Sequence, residues 1–288
     1  MAEWNIRSFK IKRDPESFAK GATSEVFKGL YGRIPVAIKV MKLQGASRGA
    51  RQKMQDDFAG EVSVLVMLRH PNVVNIYGII DDDLQCLQLI MDFASGGDLR
   101  DFLKSDSSAG LSALEQLDLC NQIANGMEYL HSKQVAHRDL KSLNVLMFIE
   151  RTGERVPKIS DFGLSKMDHG FTATATAAGP LGTPAWSAPE VLNQDGAKPD
   201  PFLSDMWSFG VVVWEVTTRK TPWEGCSVMQ ILTEVGLKGR RLDMPDSAPP
   251  PMIKVYDQCC VLGPAKRSAF ADVAEALQAA VDEAEARG

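Results

Sequence analysis

The sequence predicts an α+β protein of two lobes: a small antiparallel β-sheet lobe with one helix, then a larger, mainly helical lobe. Three observations carry this prediction. Up to about Asp92, short segments alternate apolar and polar residues and are rich in β-branched side chains, the period of half-buried antiparallel strands. Within that region only "MQDDFAGEVSVLVMLRH" repeats its apolar residues at helical spacing. After the glycine-bearing connector "DFASGGD", long helical patterns take over. The predicted boundaries are a first lobe over about 1–92, a hinge over about 92–97 and a second lobe over about 98–288.

Taken in order, "SEVFKGLYG" and "PVAIKVMKL" read as strands. The helix that follows places Phe58, Val62, Leu65 and Leu68 on one face. "NVVNIYGII" and "CLQLIMDF" return to strand. Ser112 and Glu115 form a capping box ahead of a helix through Leu117, Cys120, Ala124, Met127 and Leu130. "MFIERTGERVPKIS" reads as an extended hairpin with Gly153 in its turn. "SDMWSFGVVVWEVTT" offers Ser204 and Asp205 as capping residues and is apolar almost all round, the pattern of a buried helix. Finally, "FADVAEALQAAV" sets Phe270, Val273, Leu277 and Val281 on one stripe.

Composition narrows the function. The 288 residues are 44% hydrophobic and 24% charged, enough for a sizeable core, and carry a net charge of -5. The basic residues are scattered, which argues against nucleic acid or an anionic membrane as partner. Runs such as "FGVVVWEV" fall far short of the roughly 18 apolar residues of a membrane span. The start, "MAEWNIRSFK", has no apolar signal core and carries Ala2 where myristoylation needs glycine. Five cysteines without a CxxC spacing indicate neither zinc nor a disulfide framework, and reduced thiols fit a cytoplasmic protein.

Several residues suggest one chemistry. Moving a γ-phosphoryl group requires a cation on the nucleotide phosphates, hard oxygen ligands for Mg²⁺ and a carboxylate near the acceptor hydroxyl. Lys39 in "VAIK", Asn144 with Asp161 of "ISDFGLS", and Asp139 supply those types in turn. Glu61, four residues before Leu65, shares the inward face of its helix and is placed to pair with Lys39. Singly, each has a plainer explanation: a solvated strand lysine, a turn, a surface charge cluster, a helix cap. Their joint order is what separates them from those explanations.

"VAIK", a helical Glu, "HRDLKSLN", "DFG", "APE" and "DMWSFG" follow one another in a single chain. Over roughly Trp4 to Ala284 the sequence resembles the eukaryotic protein kinases. "VFKGLYGRIPVAIKV", "HRDLKSLN" and "GTPAWSAPE" are most similar to the tyrosine-kinase-like group of serine/threonine kinases. The resemblance implies a bilobal protein-kinase-like fold, with residues 1–288 as one catalytic domain that uses ATP and Mg²⁺. It implies that Asp139 orients the acceptor hydroxyl, that Lys141 contacts the γ-phosphate and that Asn144 and Asp161 bind Mg²⁺. Lys39 would contact the α- and β-phosphates and pair with Glu61. The nucleotide would lie against Gly21, Val26, Ala37, Met91 and Leu146, with Asp92 and Ala94 offering backbone groups to the purine. Leu65, Ile76, His137 and Phe162 would form an apolar stack. Arg138 would receive a phosphate carried by Thr172, Thr174 or Thr176, added by a second copy in transient self-association.

The resemblance also favours serine and threonine acceptors in protein substrates, since members acting on tyrosine usually carry Ala and Arg in place of Lys141 and Leu143 and lack the Gly182-Thr183 pair. Two departures keep other readings open. In "AKGATSEV", Ala19 and Ser24 stand where the phosphate loop of the family has glycine, so a nucleotide-binding pseudokinase scaffold is one alternative. A dual-specificity kinase that also accepts tyrosine is another. In "CCVLGPAKRSAF", Cys260, Gly263 and Ser268 replace the family's Trp, Asp and Pro, while Arg267 remains as the expected partner of Glu190.

Overall fold

The computed structural model describes residues 4–20, 24–43, 48–80, 86–105, 108, 110–162, 184–193 and 198–287. The chain divides into two compact units, and the division falls between Ser95 and Gly96, inside the hinge that the sequence predicts.

The first unit contains a five-stranded antiparallel sheet of strands β1 (Ile11–Lys20), β2 (Ser24–Tyr31), β3 (Ile34–Lys42), β4 (Ile76–Ile80) and β5 (Cys86–Asp92), in the order β1-β2-β3-β5-β4. β2 and β3 pair from Ser24↔Met41 to Tyr31↔Ile34 around a two-residue loop in which Gly32 has φ 62°, a conformation glycine adopts without steric cost. β1, which the sequence patterns did not single out, is an edge strand with register shifts on either side of Ser17. Pro15 lies in the first of these, where a missing N–H leaves no gap in a ladder. One sheet face buries Val36, Ile38, Val40 and Ile90 with Ile6 and Ile80, and Phe27, Tyr31 and Tyr77 close over them.

Helix α1 (Arg48–Leu65) buries Phe58 and Val62 completely. It ends one turn before the predicted stretch does. Met67 and Leu68 donate to Val64 and Leu65 in tightened turns, and the Arg69 guanidinium caps the carbonyls of Val66 and Leu68. Pro71 supplies the reason, because the residue before a proline is disfavoured in the helical region. Leu68 is buried nonetheless.

Among the described residues the second unit contains helices and one hairpin. Helix α2 (Leu99–Lys104) is capped by Asp98. Helix α3 (Ala113–Ser132) begins with the predicted capping box: Ser112 Oγ accepts from the Glu115 amide at 3.2 Å, and Glu115 Oε2 accepts from the Ser112 amide at 2.8 Å. Strands β6 (Val145–Ile149) and β7 (Arg155–Ile159) form the extended hairpin, with Gly153 in its turn at φ 87°. A short helix α4 (Pro189–Leu192) precedes α5 (Pro201–Thr218), which is buried from Ser204 to Val216. The α5 start corrects the sequence reading. Asp200 is the cap, accepting from the Phe202 amide at 2.8 Å with Pro201 in the first turn, and Ser204 and Asp205 lie inside the helix. Helices α6 (Val228–Ile231), α7 (Pro250–Cys259) and α8 (Phe270–Glu285) complete the unit, and α8 packs the Phe270, Val273, Leu277 and Val281 stripe onto α3.

One sequence departure and one retained pair bear on this packing. A Cβ on Gly210 would meet Cys260 Sγ at 2.5 Å, so α5 and the end of α7 approach too closely there for a larger residue at 210. The expected Arg267–Glu190 pair is present and bidentate at 2.6 and 2.8 Å. Arg267 also donates to the carbonyls of Leu203 and Val261, and its side chain is wholly buried. Removing the cation would strand the Glu190 carboxylate and those carbonyls. Arg267→Met is expected to lower unfolding stability by about 3 kcal/mol, read as a reduced urea midpoint at unchanged slope.

Candidate active site

In the first unit the sheet gathers one set of predicted residues. Directly opposed residues of an antiparallel pair share a face, as do residues two apart on one strand. Val26 opposes Lys39, Ala37 opposes Met91, and Ala37 and Lys39 alternate along β3. Val26, Ala37, Lys39 and Met91 therefore lie on one face, turned away from the Val36, Ile38 and Val40 core. At the end of β5, Asp92 is locked in place. Its carboxylate accepts from Tyr77 Oη at 2.8 Å and Asn75 Nδ2 at 2.8 Å, and its amide donates to Asn75 O at 3.0 Å. Burial and this contact push the Tyr77 hydroxyl up to about 12. With its amide committed, the carbonyl is the backbone group Asp92 has left to offer.

The Lys39–Glu61 ion pair implied by the resemblance is not formed among the described residues. Glu61 Oε2 is instead buried with no hydrogen-bond partner among them.

In the second unit the loop after α3 concentrates the remaining residues. Lys141 Nζ lies 2.5 Å from Asp139 Oδ2. Asn144 Nδ2 donates to Asp139 O at 2.7 Å and approaches Oδ2 at 3.2 Å. Ser160 gives both its amide, at 2.8 Å, and its hydroxyl, at 3.0 Å, to the Asn144 carbonyl, which brings the neighbouring Asp161 to the same place. Leu146 bridges to Asp98, and Gly96 donates to Met147 O at 2.9 Å, where a side chain at 96 would collide.

A third carboxylate holds this loop. Asp205, 1% exposed, accepts the His137 amide on Oδ2 and the Arg138 amide on Oδ1, each at 2.7 Å, and His131 Nε2 lies 3.0 Å from Oδ2. The sequence reading took Asp205 for a helix cap and missed this role, because its donors lie 68 and 67 residues earlier in the chain. Arg138 and Asp161, flanking the cluster, have φ 71° and 57°, strained values for residues with a Cβ. Leu65, Ile76, His137 and Phe162 are each buried. Arg138 is exposed. Gly21, Thr172, Thr174 and Thr176 lie outside the described residues.

The donor set fits a hard cation. Because Asn144 Nδ2 is turned to Asp139, its Oδ1 faces the other way, and an amide oxygen with one carboxylate suits Mg²⁺, which keeps waters and shares phosphate oxygens. No group of three His, Cys, Asp or Glu side chains able to hold a metal occurs among the described residues.

The family model for protein tyrosine and serine/threonine kinases matches residues 14–277. The chain belongs to the protein kinase family. It is 35% identical over 262 residues to serine/threonine/tyrosine-protein kinase HT1 of Arabidopsis thaliana, covering 91% of this chain and 64% of that protein. It is 32% identical over 267 residues to serine/threonine-protein kinase CTR1 of the same plant, covering 91% and 31%. With serine/threonine-protein kinase STY17, also of Arabidopsis thaliana, it shares 30% identity over 282 residues, covering 98% and 46%. The chain thus spans between about a third and two thirds of the length of these relatives. Protein kinases as a family use ATP and Mg²⁺. Among the described residues of this member, no helix is long and apolar enough to cross a membrane.

Two predictions follow from the buried carboxylates of α5. Asp205→Asn replaces one acceptor oxygen by a donor, and hydrogen exchange at the His137 and Arg138 amides is expected to speed up at least about tenfold. Glu215, whose Oε1 and Oε2 accept from Ser142 Oγ and Trp186 Nε1 at 2.7 Å each, has its carboxyl pushed up to about 7 by burial, against the pull of those bonds and of Arg100. Between the ordinary value of 4.5 and about 7, the folded chain keeps a proton that the unfolded chain releases. The stability from Glu215 is therefore full below pH 4.5 and lost as pH rises through about 7, on the order of 3 kcal/mol in all. Urea midpoints of the wild type, compared with Glu215→Gln, should show that decline in the wild type alone.

Proposed function

We propose that this protein is a Mg·ATP-dependent serine/threonine kinase whose residues 1–288 form one catalytic domain and whose acceptors are Ser and Thr hydroxyls of protein substrates. The observation that carries the reading is the Asp139, Lys141 and Asn144 cluster, held to one loop by the Asp205 carboxylate. Phosphoryl transfer asks for charge placement and alignment more than covalent chemistry, and this loop provides both.

In this reading Asp139 Oδ accepts a hydrogen bond from the acceptor hydroxyl and draws its oxygen toward the phosphorus. Lys141, now on Asp139, is within reach of the transferred phosphoryl oxygens and neutralises the charge that builds there. Asn144 Oδ1 and the Asp161 carboxylate hold the metal. Lys39 takes the α- and β-phosphates, and Glu61 is the counter-charge available to it in the same unit. Val26, Ala37, Met91 and Leu146 line the purine, while Asp92 and Ala94 present backbone groups to it. Mg·ATP, when bound, supplies the phosphoryl group and the cationic charge that makes it electrophilic.

Arg138, exposed beside Asp139, would bind a phosphate on Thr172, Thr174 or Thr176, placed there by a transiently associated second copy. A cytoplasmic location accords with the ATP requirement and with the absence of any disulfide among the described residues. Acceptance of tyrosine as well is the second reading, since HT1 is named for all three hydroxyl residues.

Labelled γ-phosphate transfer to Ser, Thr and Tyr peptides, with Asp139→Asn in parallel, tests the assignment. Transfer to Ser and Thr peptides is expected to fall at least about a thousandfold in the variant while Mg·ATP binding is retained. Transfer to Tyr peptides at a comparable rate would establish the dual-specificity reading. Mg·ATP binding with no transfer by the wild type would instead identify a scaffold.

A further inference from the structure

Within the second unit a cavity of about 230 Å³ opens where the end of α3 meets the starts of α5 and α8. Phe202 and Met206 of α5 and Phe270 of α8 give it an aromatic and apolar wall, and the last turns of α3 contribute Glu128, His131 and Ser132. An apolar cavity of about 150 Å³ is large enough to take benzene, so this one has room for a fused two-ring system.

The polar groups of the α3 side are acceptors. Glu128 is half-buried and forms no ion pair among the described residues. Ser132 Oγ gives its proton to Tyr129 O at 2.7 Å, which leaves its lone pairs to accept. Ser268, which replaces the family's proline, also lines the cavity and adds a hydroxyl that no described residue engages. A ligand for this space therefore needs an apolar ring for the wall and a donor for the rim, best a cation for Glu128.

The same wall stands one contact from the catalytic loop. Phe202 and Phe270 each meet the His131 ring edge-on, at 4.9 and 4.8 Å between centroids. His131 Nε2 lies 3.0 Å from Asp205 Oδ2, the oxygen that also accepts the His137 amide. Met206, in the wall, is the residue after Asp205. A ring in the cavity packs against these side chains and opposes their motion, and so opposes release of His131 from Asp205.

We propose that this cavity binds a small arylalkylamine, its ring against Phe202, Met206 and Phe270 and its ammonium on Glu128, and that occupancy tightens the hold of Asp205 on the catalytic loop. The proposal stands apart from the kinase reading, because neither the binding nor the motion of the loop requires phosphoryl transfer.

Tryptamine is the probe, with 3-methylindole as its uncharged counterpart. Tryptamine is expected to bind saturably, read from amide shifts at Ala269 and Ala271, and at least about fivefold more tightly than 3-methylindole. Glu128→Gln should abolish that preference while the affinity for 3-methylindole stays within about twofold. Ala271→Phe, at an exposed position of the α8 wall, should obstruct the cavity and weaken both ligands at least about tenfold. Unchanged urea midpoints show that the two variants fold. At saturating tryptamine, hydrogen exchange at the His137 and Arg138 amides should slow about threefold in the wild type and keep its rate in Ala271→Phe. Shifts that rise without saturating, or a preference for tryptamine that survives Glu128→Gln, would overturn the site. Saturable binding with unchanged exchange at both amides would overturn its coupling to the loop.

Discussion

The Asp205 carboxylate is the constraint on which the second unit is arranged. Burying an ionised carboxylate to 1% exposure costs several kcal/mol, and it is tolerated only where its oxygens are filled. Here they are filled by main-chain amides from the loop that carries Asp139, and by His131 from the end of α3. Charge-assisted bonds of this kind are worth about 1.5–3 kcal/mol each, so the loop and the helix stabilise each other and neither is satisfied alone. The His131 ring is held in turn by edge-on contacts with Phe202 and Phe270, which ties the polar centre to the apolar packing of α5 and α8.

That arrangement explains why strained backbone persists at the site. Arg138 sits at φ 71° although a Cβ makes the left-handed region costly by about 1–2 kcal/mol. Its amide is one of the two that Asp205 requires, so relaxing φ would forfeit a bond to a buried charge. Asp161 at φ 57° follows Ser160, whose amide and hydroxyl both bind Asn144 O. In each case a residue assigned to the chemistry, or next to one, is fixed in an unusual conformation by a neighbour's hydrogen bonds.

What was legible in the sequence, and what was not, follows the range of the interactions. The Ser112 and Glu115 capping box spans three residues, and the α8 stripe repeats every three or four, so local rules find both. The Gly153 turn is equally local. The α5 start was misplaced although its signal was present, since Asp200 followed by Pro201 is a cap followed by the residue best suited to the first helical position. Asp139, Lys141, Asn144 and Asp161 were found as motifs, and the structure gathers them around one short loop. Asp205 and Glu215 escaped because their partners in the catalytic loop lie 68 and 73 residues away, beyond any periodicity. Glu61 was correctly placed on the inward side of its helix, but whether a buried carboxylate meets a cation depends on tertiary packing that helical spacing does not encode.

The spacing of the two α5 carboxylates bears on how sharply the loop is held. Asp205 and Glu215 are ten residues apart, about 15 Å along a helix axis. They grip the loop at its two ends, the amides of His137 and Arg138 at one and the Ser142 hydroxyl at the other. A segment fastened at two points to one helix has less freedom than one fastened at a single point, and Asp139 lies between those points. A rigid, buried helix thus sets the position of the residue assigned to the acceptor before any ligand arrives, which is the condition for alignment to lower a transfer barrier.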